Sequence, residues 1–148
     1  MSFLEILAIL VPSTLMYASP LILTALGGVF SERSGVVNIG LEGLMVVGAF
    51  TAIVFNLSFA DTFGGWTPLV VAMVVGGIFS LLHAVASITF RADQTVSGVA
   101  INMLALGACM FLVKLVYGKG QTDKIAEPFY SIDIPGLSDI PVIGKIFF

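Results

Sequence analysis

Four long apolar runs, separated by short polar turns, leave this chain few folds to choose from. They cover residues 6–30, 35–60, 69–90 and 95–117. Each is long enough to cross a hydrocarbon core about 30 Å thick at about 1.5 Å per helical residue. In lipid, backbone polar groups have to be satisfied within the protein, so irregular backbone survives there only where protein surrounds it. The expected fold class is therefore all-α: a polytopic membrane protein of about four transmembrane helices, one or more of them kinked or broken, with a polar loop. Composition agrees. Of the 148 residues, 58% are hydrophobic and 10% charged, with a mean hydropathy of +1.10. A soluble domain carries about 25% charged residues.

Several function classes drop out at once. The net charge of −3 comes without a basic patch, which argues against nucleic acid as a partner. A lone cysteine, Cys109, rules out an internal disulfide and a cysteine-based metal cluster, and reads as a small core residue. The single histidine leaves a histidine-based metal site little to work with. No metal or cofactor is expected. The N-terminus lacks the basic start and small-residue cleavage site of a signal peptide and reads as a retained first span.

The first run is longer than a bilayer needs, so tilt or a kink at Pro12 and Pro20 is expected. Ser13, Thr14 and Ser19 are placed to satisfy the carbonyls those prolines free. A polar turn, Ser31-Glu32-Arg33-Ser34, follows. The second run holds one amide, Asn38, and one carboxyl, Glu42, at i and i+4 among Gly35, Gly40, Gly43 and Gly48. Glycines weaken a helix in water but let backbones approach closely in a membrane. Gly40 and Gly43 flank Glu42 and predict a break there. A carboxyl within a span is costly and marks a functional candidate. Two roles stay open for Glu42: holding backbone N–H groups freed at the break, with Asn38 helping, or lining a substrate path.

Residues 61–68 read as a loop, with Trp66 suited to the membrane interface. In the third run Gly76, Ser80 and Ala84 form a small-residue face for helix packing. His83 lies near it, with Ser80 and Ser87 about one turn away on either side, either as a neutral hydrogen-bonded imidazole or as a proton relay. In the fourth run Gln94, Gly98, Asn102, Ala105 and Cys109 share one helical stripe. Gln94 and Asn102 either face a water-filled path or hydrogen-bond neighbouring helices. Residues 118–144 form a proline-rich polar loop, and residues 145–148 look like the start of a further span that stops abruptly, as in a fragment.

The block from Gly35 through Asn38 and Glu42 to Gly43, followed by Gly48-Ala49-Phe50, resembles the signature of bacterial ABC importer permeases of the branched-chain amino acid and ribose type. A second block, Ala92 to Gly107, is similar to the branch that imports nucleosides. The resemblance implies the N-terminal half of a multi-pass permease in a bacterial cell membrane, an incomplete permease fold. It implies a second permease subunit, cytoplasmic ATPase subunits, an extracytoplasmic substrate-binding lipoprotein and a nucleoside substrate. It assigns no catalytic residue to the permease, and the absence of a G-x-x-x-x-G-K loop agrees with ATP being handled elsewhere. Asn38, Glu42, Gln94 and Asn102 are the candidates for path or helix break. Two rival readings are a small self-sufficient proton-coupled multidrug exchanger built on Glu42, and an intramembrane enzyme pairing His83 with Ser80 or Ser87. Arg33 and Arg91 fall in short turns on one side, which the positive-inside rule makes cytoplasmic, with the N-terminus outside.

Overall fold

The structure is a computed structural model that describes residues 3–63 and 66–125. Among these residues the regular structure is entirely helical: α1 Phe3–Arg33, α2 Leu41–Phe63, α3 Thr67–Ala84 with a wide π-turn Val85–Thr89 at its end, and α4 Gln94–Tyr117. All four helices are long and apolar enough to cross a membrane. The expected all-α polytopic architecture is the one observed. The chain forms two compact units, whose described parts are residues 3–23 and residues 24–63 with 66–125.

In the first unit, Pro12 and Pro20 sit inside a helix that continues through both. The neighbouring hydroxyls do not serve the freed carbonyls. A proline at position i orphans the carbonyl at i−4, which here means Ala8 and Met16. Ser13, Thr14 and Ser19 donate instead to Ile9, Leu10 and Leu15, at 2.8, 2.7 and 2.6 Å. These are the ordinary back-bonds of serine and threonine on a helix, whose reach is set by their own i−4 carbonyl.

The second unit starts with the end of α1, and Gly35 stops that helix. Its φ of +86° is the left-handed conformation, open to glycine at little steric cost. Gly35 N–H donates to Glu32 O at 3.0 Å and Val36 N–H to Ser31 O at 3.2 Å. Those two bonds are the Schellman pair, which closes a helix and turns the chain sharply away.

The second run departs from expectation. Residues 35–40 are not helical, and α2 begins only at Leu41. It then continues through Phe63, into residues expected to be loop. Pro68 follows in the first turn of α3, where its missing N–H costs nothing, and is fully buried. Trp66 remains 62% exposed, as an interfacial ring would be. Beyond α4, Gly118 (φ +67°) ends the helix with Gly118 N–H on Lys114 O. Residues 118–125 run without helix, with an exposed Lys119–Asp123 pair at 2.6 Å. The remainder of the expected polar loop, and residues 145–148, lie outside the described residues.

The core is small. Val47, Ala105 and Cys109 are buried together, with Val46, Phe50, Val75 and Phe79 packed around them. Lipid tails are as apolar as leucine, so a membrane helix gains little by hiding its leucines from them. What holds α2 to α4 is close approach. A Cβ on Gly43 would lie 2.9 Å from the Asn102 Cα, and one on Gly98 would lie 2.9 Å from the Gly40 amide nitrogen. Only hydrogen fits at these two positions.

Candidate functional site

The site is the irregular stretch 36–40 and what surrounds it. Asn102 lies eight residues into α4, about 12 Å along that helix from Gln94. Both touch the stretch, so its backbone descends about two turns into the helix layer. Peptide groups at that depth need partners within the protein. Side chains from three helices supply them.

Val37 N–H donates to Gln94 Oε1 at 2.7 Å. Val37 O accepts from His83 Nε2 at 3.2 Å. Val36 O accepts from the Ser31 hydroxyl at 2.7 Å. Ile39 O accepts from Asn102 Nδ2 at 3.1 Å, and Gly43 N–H donates to Asn102 Oδ1 at 2.7 Å. Gly40 N–H donates to Asn38 Oδ1 at 2.9 Å. Gly40 occupies the N-cap of α2, since Leu44 N–H bonds its carbonyl at 3.1 Å. A glycine there has no side chain to bond the third-position N–H, the usual duty of an N-cap. Asn102 performs it from another helix.

The histidine tautomer follows from these partners. A carbonyl can only accept, so Nε2 carries the proton and Nδ1 accepts from the Ser97 hydroxyl at 3.1 Å. His83 is 3% exposed. Ser87 Oγ is 3.5 Å from the same protonated nitrogen, so His83 has no free base to offer that serine, and Ser80 bonds Gly77 O instead. This geometry does not support an intramembrane hydrolase.

Of the four residues singled out for path or break, three converge here. Asn38, Gln94 and Asn102 all bind backbone of residues 35–43. Glu42 does not. The Gly40 and Gly43 N–H groups go to the two asparagines, while Glu42, in the first turn of α2, is exposed and makes no hydrogen bond among the described residues. Asn38 precedes the helix, so the i, i+4 spacing to Glu42 does not stack the two on one helix face. Ser97 and the close approach at Gly98 were not foreseen as parts of the site. The one legible signal was a glycine on the same stripe as Gln94 and Asn102.

The small-residue face of α3 takes a different place from the one expected. The buried side of α3 carries Pro68, Ala72 and His83. A Cβ on Gly76 would meet nothing within 4 Å. Ser80 and Ala84 instead line a cavity of about 350 Å³, shared with Ser31 and Ser34 of the first turnaround, Asn38, and Leu41 of α2.

Against known proteins, residues 10–141 match the family described as branched-chain amino acid transport system / permease component. The chain is 70% identical to the guanosine ABC transporter permease protein NupQ of Bacillus subtilis, over all of this chain and 47% of that protein. It is 48% identical to the nucleoside ABC transporter permease protein NupC of Lactococcus lactis, over all of this chain and 47% of that protein. It is 27% identical to the guanosine ABC transporter permease protein NupP of Bacillus subtilis, over 79% of this chain and 35% of that protein. The chain thus spans about half the length of the relatives it matches most fully. No solved structure matches it.

Proposed function

The chain belongs to the branched-chain amino acid transport permease family, and from that premise we propose that it is part of a membrane permease subunit importing nucleosides, guanosine foremost, in an ATP-driven transporter of a bacterial cell membrane. The observation that carries this reading is the 70% identity to NupQ along the entire chain. ATPase subunits and an extracytoplasmic binding lipoprotein complete the transporter. The permease partner is a different chain: two proteins of one organism, NupQ and NupP, bear the same guanosine description, yet this chain is 70% identical to one and 27% to the other. Such divergence suits two unlike subunits around one path. The self-sufficient exchanger loses its support, because relatives matching the whole chain are ABC transporter permeases.

Within the subunit, Asn38, Gln94 and Asn102 hold the helix break open, and Glu42 faces the path. That its carboxyl makes no hydrogen bond among the described residues supports that assignment. The turns holding Arg33 and Arg91 lie at the cytoplasmic end. Their proximity supports this, since Ser31, Ser34 and Ile88 line the same cavity. To test the function, these 148 residues replace the matching half of NupQ in Bacillus subtilis cells lacking native NupQ. Guanosine uptake that depends on ATP is the expected result. A chimera present in the membrane at normal level, with no nucleoside uptake, overturns it.

A further inference from the structure

We infer that the cavity between the end of α1, the irregular stretch and the end of α3 is a binding site for the ribose of an uncharged nucleoside. This rests on the importer reading and adds to it a place and a recognised group. The cavity measures about 350 Å³. That is within the range of about 300–1,000 Å³ typical of small-molecule sites. Its walls decide the chemistry. No lysine, arginine, aspartate or glutamate lines it among the described residues, so nothing there compensates a phosphate. A nucleotide is excluded and a neutral ligand is favoured.

The polar atoms narrow the class further. Three serines line the cavity, and each has spent its proton on backbone: Ser31 on Val36 O, Ser34 on Ser31 O and Ser80 on Gly77 O. Their oxygens are left as acceptors. His83 has also spent its Nε2 proton, on Val37 O. Asn38 spends only its Oδ1, on Gly40 N–H, and its Nδ2 makes no hydrogen bond among the described residues. The cavity therefore offers a group of acceptors and one amide donor. A ring with vicinal hydroxyls matches that pattern, each O–H donating to a serine and an oxygen accepting from Asn38. Leu41, Leu44 and Ile88 supply the apolar side against which a sugar edge or base rests.

The position suits a transporter. Val36 and Asn38 of the irregular stretch line the cavity, beside the Val37 and Ile39 backbone that Gln94, His83 and Asn102 hold, so a ligand there touches the least regular part of the fold. A ligand shifts a conformational balance only by its differential affinity for the two states. Contact with a segment that side chains of three helices hold in place is the source of that difference.

The test uses the complete transporter in nanodiscs without its binding protein, with tritiated guanosine as the probe. Ser80→Leu fills the cavity and is expected to weaken guanosine binding tenfold or more. Asn38→Asp keeps the acceptor for Gly40 N–H but removes the amide donor, and is expected to weaken binding at least fivefold. Val74→Leu, on an exposed face of the same helix, should bind as the parent does. In competition, 2′,3′-dideoxyguanosine and guanosine monophosphate should displace the probe poorly. If dideoxyguanosine competes as well as guanosine, the ribose assignment is wrong. If Ser80→Leu assembles and binds guanosine normally, the cavity is not the site. If Ser80→Leu blocks assembly while Asn38→Asp binds normally, another part of the protein fills the cavity and the inference fails. None of these results touches the importer reading, which falls only if the parent transporter moves no nucleoside.

Discussion

Asn102→Leu is the substitution that most directly tests how the helix break is held. Leucine is close to asparagine in size but can neither accept from Gly43 N–H nor donate to Ile39 O, bonds of 2.7 and 3.1 Å. A net hydrogen bond contributes about 0.5–1.5 kcal/mol. Interhelical bonds in membranes average about 0.6 kcal/mol and reach about 1.7. Two such bonds, lost where the irregular backbone has no water to turn to, give about 2 kcal/mol. In the full-length permease that lowers the unfolding midpoint by roughly 4 °C. Fluorescence-detected size exclusion after heating measures it, with Met103→Leu as the control. Met103 is one residue further on and 71% exposed, so its change should stay within about 0.5 kcal/mol. Amide exchange gives a local readout: peptides covering residues 39–44 should exchange at least tenfold faster, since about 1.4 kcal/mol is a factor of ten. An Asn102→Leu protein matching Met103→Leu in both midpoint and exchange would refute the idea that this amide carries the break.

The glycines sort by what surrounds them. Gly43→Ala and Gly98→Ala push a methyl to 2.9 Å from backbone atoms, so each should cost about 1–3 kcal/mol, read as a lower midpoint. Gly107→Ala, with nothing within 4 Å of its Cβ, should be neutral or gain up to about 1 kcal/mol, and an equal loss at all three positions would contradict the packing described. Gly35→Ala forces a side chain into φ +86° and should cost about 1–2 kcal/mol, again by thermal midpoint; no change would argue against the helix stop. Glu42→Ala should assemble normally yet take up less nucleoside, because its carboxyl holds nothing among the described residues; unchanged uptake removes it from the path. For topology, Ser131→Cys in a Cys109→Ser background should react with an impermeant maleimide on intact cells, and labelling only after lysis reverses the orientation.

Local chemistry made much of this protein legible from sequence. Apolar runs of bilayer length have one outcome in lipid, and Pro68, Asp93 and Gly118 mark helix ends by local rules that need no partner distant in sequence. Asp93, for one, caps α4 by accepting from Val96 N–H at 2.9 Å. An irregularity in this region was readable from the glycines, but not its place: the break expected at Glu42 lies before it, since Glu42 and Gly43 are helical and the irregular stretch ends at Gly40. What the sequence could not assign was who satisfies the break. Glu42 is the carboxyl closest along the chain, but it is exposed and makes no hydrogen bond among the described residues. The groups that do the work, His83, Gln94 and Asn102, stand 46 to 63 residues from the atoms they bind. Hydrogen bonds demand placement within a few tenths of an ångström, and across that separation placement depends on how the helices are rotated and how closely they cross. Gly43 and Gly98 set that crossing, and only the tertiary structure shows which amides it brings into reach.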